Sequence, residues 1–141
     1  MARPDYVGSW EPVSIEELCR YPCPVEKLPE QGNYFHLFLE NIQENRCQGV
    51  FRGRCLDTYG ESLVWGEITP ERLRFSKGYT EEARRKGGSR FELIFDGMHK
   101  FIRAPAPGKG LIEAVVGLVT CEKSNEFKPR VFVMINRDSI V

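Results

Sequence analysis

The chain has 141 residues, the commonest size for one domain with one buried core. Hydrophobic residues make up 41% and charged residues 28%, the balance of a globular chain rather than a disordered or membrane-spanning one. Lys plus Arg equals Asp plus Glu at 20 each, so no net field steers the chain to nucleic acid.

No apolar run approaches the roughly 20 residues that a spanning helix needs. The N-terminal stretch MARPDYVGSW has no apolar segment behind its Arg, and a cytoplasmic location without a secretory leader is the expectation. The five cysteines, Cys19, Cys23, Cys47, Cys55 and Cys121, are odd in number and scattered. Reduced thiols fit that pattern better than a disulfide framework.

In chain order, residues 1–32 form a proline-rich arm ahead of a core over 33–141, the two making one domain. Pro4, Pro12, Pro22, Pro24 and Pro29 bar any long helix or central strand there. Within the arm, Ser14-Ile15-Glu16-Glu17 is a capping-box pattern that starts one short helix, which must stop before Pro22. Residues 33–42 read both ways: Phe35, Leu37 and Leu39 alternate as in a strand, whereas Tyr34, Leu37, Phe38 and Ile42 fit a helical stripe.

The period is two thereafter. Residues 49–56 and 62–68 read as strands joined by turn chemistry at Asp57-Thr-Tyr-Gly60. Thr69–Arg72 is a tight connection. Leu73, Phe75, Lys77 and Tyr79 then alternate with Arg72, Arg74, Ser76 and Gly78. Glu81 with Arg85, and Glu82 with Lys86, suit one helical turn before Gly87-Gly88. Residues 90–96 and 98–103 flank Gly97, residues 104–110 form a loop, and strands follow at 111–120 and 130–137. The pattern predicts an all-β, antiparallel up-and-down barrel of eight or nine strands with one short helix in its arm.

Gly8-Ser9-Trp10 is similar to the G-x-W motif that opens the first strand of lipocalins and other calycin barrels. The run Gly53-x-x-x-Asp57-x-x-Gly60, Gly66-x-Ile68, Phe75-x-Lys77-x-Tyr79 resembles the strand-turn-strand succession of small lipocalin-like barrels. The two pieces cover about a third of the chain. The resemblance implies a meander barrel able to hold a small apolar ligand, with Trp10 plugging one end of the lumen.

Two sets of residues point to function. Phe75, Lys77 and Tyr79 share one face. If that face is the lumen, Lys77 is an isolated cation among aromatics, suited to a carboxylate or to cation–π contact; otherwise it lies at the strand end and snorkels to water. On the other face, Arg52, Arg54, Arg72 and Arg74 flank the 62–68 strand. Trp65 and Glu67 are expected outward between them, completing an Arg–Trp/Glu–Arg ladder. That ladder is either a solvated sheet face or a docking surface for a protein partner or a second copy.

The histidines His36 and His99 and the cysteines show no metal-ligand spacing, and no hydrolase, P-loop or zinc-protease motif occurs. No metal or cofactor is therefore expected. Arg84-Arg85-Lys86 is neutralised in part by Glu81 and Glu82 and reads as a hairpin tip rather than a phosphate site. The leading functional expectation is a non-enzymatic barrel that binds a small, mainly apolar ligand or serves in protein recognition. The alternatives are an assembly subunit of a larger complex and a barrel enzyme of the cyclase or isomerase type. A roomy lumen favours ligand or enzyme, and a filled one favours assembly.

Overall fold

The computed structural model describes residues 5–11, 14–20, 33–44, 49–103 and 110–137. Eight strands follow one another: β1 (Asp5–Ser9), β2 (Tyr34–Glu44), β3 (Gly49–Asp57), β4 (Gly60–Ile68), β5 (Arg72–Tyr79), β6 (Leu93–Arg103), β7 (Leu111–Thr120) and β8 (Arg130–Asn136). Each pairs antiparallel with its neighbours, and β1 pairs with β8 to close the barrel. Among the described residues two short helices interrupt the meander, α1 (Ile15–Arg20) and α2 (Glu81–Arg85). Among the described residues no helix is long and apolar enough to cross a membrane. Most of the proline-rich arm, the 104–109 part of the predicted loop, Cys23 and Cys47 lie outside the described residues.

Local chemistry sets the ends of these elements. Ser14 Oγ accepts from the Glu17 amide at 3.1 Å, the start of α1. Thr80 Oγ accepts from the Ala83 amide at the start of α2, which carries the Arg85–Glu81 and Lys86–Glu82 pairs at 3.0 and 3.6 Å. At the β3–β4 turn, Asp57 Oδ1 accepts from the Tyr59 amide at 2.9 Å and Gly60 has φ +133°. Only glycine takes that conformation without strain.

Segment 34–44 is a strand although a helical stripe also fits it, because β2 is covered on both faces. Phe35, Leu37 and Leu39 enter the lumen, while His36 and Phe38 on the outer face are buried as well. The Arg54 guanidinium covers Phe38 at 5.4 Å from its ring centre. Residues 90–103 hold one continuous strand from Leu93, not two. Gly97 marks a close approach instead of a turn: a Cβ there would sit 2.7 Å from Val115 Cγ1 and 2.8 Å from Phe132 Cζ.

The barrel interior is filled across its middle. Phe95 stacks on Phe75 at 4.7 Å between ring centres and meets Phe132 and Phe35 edge-on at 5.1 and 5.7 Å. Phe75 in turn meets Phe51 edge-on at 6.2 Å. Each such pair adds about 0.5–1.5 kcal/mol beyond its buried area. A second apolar cluster lies outside the wall, where α1 lays Leu18 against Val7, Ile112, Ala114, Val133 and Ile135. Burying that leucine contributes about 1.5–3 kcal/mol and fastens the start of the arm to the β1–β8 seam.

Candidate functional site

β1, β3, β5 and β7 end where β4, β6 and β8 begin, so Trp10, the Asp57–Gly60 turn and the 80–92 and 121–129 connections share one end of the barrel. A pocket of about 400 Å³ opens there. Its inner surface is Trp10, Tyr79, Leu93 and Val119, all buried, and Tyr59, Phe91 and Phe127 continue the apolar lining outward. Arg90, Glu126 and Arg130 line it as exposed residues. Ser89 and Ser124 also line it, but both hydroxyls close local turns, Ser89 Oγ with Phe91 and Ser124 Oγ with the Glu126 amide.

Beneath the pocket lies a buried polar cluster. Lys77 Nζ donates to Asp57 Oδ2 at 2.6 Å, and Tyr79 Oη donates to the same oxygen at 2.6 Å. Trp10 and Tyr79 present their rings 4.5 Å from Lys77 Nζ, and Phe95 lies 5.7 Å away. Trp10 also stacks on Phe35 at 5.9 Å, joining the cluster to the aromatic core. Burial, with the Asp57 charge adding to it, pushes the Tyr79 phenol far above its ordinary range, so it stays a donor. Burial likewise raises the neighbouring Cys55 thiol to about 11, against the opposing Lys77 charge, so it is no thiolate nucleophile at neutral pH.

The structure separates the three residues Phe75, Lys77 and Tyr79. Only Tyr79 lines the pocket; Phe75 is within the packed aromatic stack. Lys77 neither snorkels nor stands isolated: its side chain is 0% exposed and ion-paired. The turn that carries Asp57 returns β4 beside β3, and β5 then lays Lys77 across from Val64, within reach of that carboxylate. Trp10, for its part, sits under the pocket at the barrel end, over Lys77 and against Phe35.

On the outer wall Trp65 and Glu67 point outward with Leu63, and Arg52 faces Trp65 across the β3–β4 ladder. Glu67 stands opposite Arg74, yet the ion pairs run elsewhere. Arg54 bonds Glu40 at 2.6 Å and reaches Glu61 at 3.6 Å, while Arg72 clamps Asp96 with Arg74 at 3.8 Å from it. The hydrogen bonds from Arg72 hold the Asp96 carboxyl below its usual range. The Trp65 ring lies over Gly78. The predicted Arg–Trp/Glu–Arg ladder is therefore replaced by two separate clusters, because Glu40, Glu61 and Asp96 sit nearer the guanidinium groups than Glu67 does.

At the opposite end of the barrel is a group that spacing alone did not single out. His99 Nδ1 lies 3.0 Å from Glu113 Oε1, Tyr6 Oη donates to that oxygen at 3.3 Å, and Asn136 Nδ2 donates to Oε2 at 3.0 Å. The His99 contact is the largest of the effects that hold the Glu113 carboxyl below its ordinary range. These residues come from β1, β6, β7 and β8 and meet only through barrel closure. The alternation of His99 with Gly97 and Phe95 on one strand face is the sequence signal that could have placed it inward.

Compared with known protein families, curated proteins and solved structures, the chain matches none. The class rests on the fold itself: an antiparallel eight-stranded meander barrel, compatible with a calycin-like architecture.

Proposed function

We propose that this barrel is a non-enzymatic binding protein for a small, mainly apolar ligand, held in the pocket above Trp10 and Tyr79. The observation that carries the reading is the pocket's position. The lumen is packed with aromatic rings across its middle, and a pocket of about 400 Å³ opens at the end bearing the G-x-W tryptophan. That volume lies in the ~300–1,000 Å³ range of small-molecule sites, and its lining is mostly aromatic and aliphatic. Trp10, braced by Phe35 and Lys77, is a rigid floor that loses little entropy when a ligand stacks on it. Kinship with lipocalin-like barrels belongs to the same proposal and is supported by Gly8-Ser9-Trp10 and the eight-stranded meander.

The probe is N-phenyl-1-naphthylamine, a neutral aromatic dye that brightens in apolar surroundings. One saturable site is expected, with Kd on the order of 100 µM or tighter. Phe91→Ala, at a half-exposed side chain, should weaken it threefold or more without loss of fold. Absence of saturable binding, or equal binding by Phe91→Ala, overturns the reading.

A second reading, self-association through the outer wall, is supported by Leu63 and Trp65, which are 56% and 39% exposed on adjacent outward positions. Sedimentation equilibrium decides it. A dimer that Trp65→Ala dissociates supports this reading, and a monomer at all concentrations removes it.

A further inference from the structure

We propose that the pocket above Trp10 selects ligands with an anionic head, an apolar carboxylate, sulfonate or phosphate, gripped at the mouth by Arg90 and Arg130. This deepens the ligand-binding reading and rests on it. Arg130 opens β8 opposite Val119 and shares a strand face with Phe132, whose ring is in the lumen, so it stands on the lumen side at the rim. Arg90 reaches the same pocket from the connection that precedes β6.

Several other arginines of the barrel already have carboxylate partners. Arg54 and Arg85 have carboxylate oxygens at 2.6 and 3.0 Å, and Arg72 is clamped on Asp96. Arg90 and Arg130 have no ion pair with any described residue, although both line an apolar pocket. Arg20, Arg52, Arg84 and Arg103 also have none with a described residue, but they do not line this pocket. The rim serines are committed to their own turns, and among the described residues Glu126 is the one acid in the lining, two cations against one anion. Guanidinium groups bind planar or tetrahedral oxyanions in two-pronged fashion while their stems lie along apolar surface. A ligand with an apolar body on Trp10 and an anionic head at the mouth satisfies both parts of the site.

The test compares two dyes with the same aromatic body, neutral N-phenyl-1-naphthylamine and the sulfonate 1-anilinonaphthalene-8-sulfonate. At low ionic strength the sulfonate is expected to bind at least tenfold tighter, with the advantage shrinking as salt is added. The double variant Arg90→Gln/Arg130→Gln should erase that advantage and leave the neutral dye unchanged. Arg52→Gln should alter neither. Equal binding of the two dyes by the native protein, or an advantage that survives the double variant, overturns the anionic preference while the pocket reading stands. Failure of both dyes to bind overturns the pocket reading and this proposal together.

Discussion

Lys77 Nζ and Asp57 Oδ2 lie 2.6 Å apart with both side chains fully buried, under a tryptophan and beside a tyrosine that donates to the same carboxylate. An ion pair in such a place gains little over well-packed apolar residues, but either partner alone is a stranded buried charge. Its position ties the β3–β4 turn to β5 directly below the pocket.

Lys77→Met is accordingly expected to destabilise by about 3–5 kcal/mol, read from urea unfolding. Lys77→Met/Asp57→Asn removes both charges and should regain a large part of that loss. A single variant within about 1 kcal/mol of the native protein would show that the carboxylate finds another partner.

Gly60→Val should destabilise by about 1–3 kcal/mol. Gly60 has φ +133°, and a Cβ there would also meet Ala83 Cβ at 3.2 Å, so the new side chain is strained by the backbone and pressed against α2. An unchanged thermal midpoint in this variant would contradict the turn geometry.

Acid should weaken the fold through His36. Burial, helped by the Arg137 charge, lowers its imidazole from 6.5 to about 4. The native side chain thus stays neutral while the unfolded chain takes up a proton below 6.5, so stability falls as pH drops from 6.5 and the decline ends near 4. The full interval corresponds to about 3 kcal/mol. Urea unfolding at pH 7 and pH 5 measures it: His36→Gln should show a smaller drop than the native protein, and equal drops would contradict the assignment.

The two tryptophans should behave oppositely. Trp10 is 8% exposed and built into the aromatic core, so Trp10→Ala should cost about 3–5 kcal/mol. Trp65, on the outer wall over Gly78, should cost about 1 kcal/mol or less on truncation. Thermal denaturation of the pair checks this. Comparable losses would place Trp65 in the core.

What local chemistry governs was legible in the sequence. Ser14 as a cap, Asp57 and Gly60 as a turn, and the shared face of Leu73, Phe75, Lys77 and Tyr79 all follow from residue type and period, whereas the burial of Lys77 on that face stayed open. The outward setting of Trp65 followed from Glu67, which shares its face. What depends on register was not legible. Lys77 meets Asp57 across 20 residues and Tyr6 meets Glu113 across 107, so these pairings appear only when the barrel closes. The same holds for Arg54, whose strongest partner, Glu40, sits on β2. Gly97 resembled a break because a glycine admitted for packing looks the same in sequence as one admitted for a turn. The pocket itself is assembled from connections whose composition carries no period.

The most direct measurement of the central claim is energy transfer from Trp10 to N-phenyl-1-naphthylamine in the Trp65→Phe variant, where Trp10 is the single tryptophan. A ligand in the pocket touches that ring, so saturable quenching of tryptophan emission should follow the rise in dye emission with one common Kd. Dye binding that leaves Trp10 emission unchanged would place the ligand elsewhere on the barrel and contradict the account.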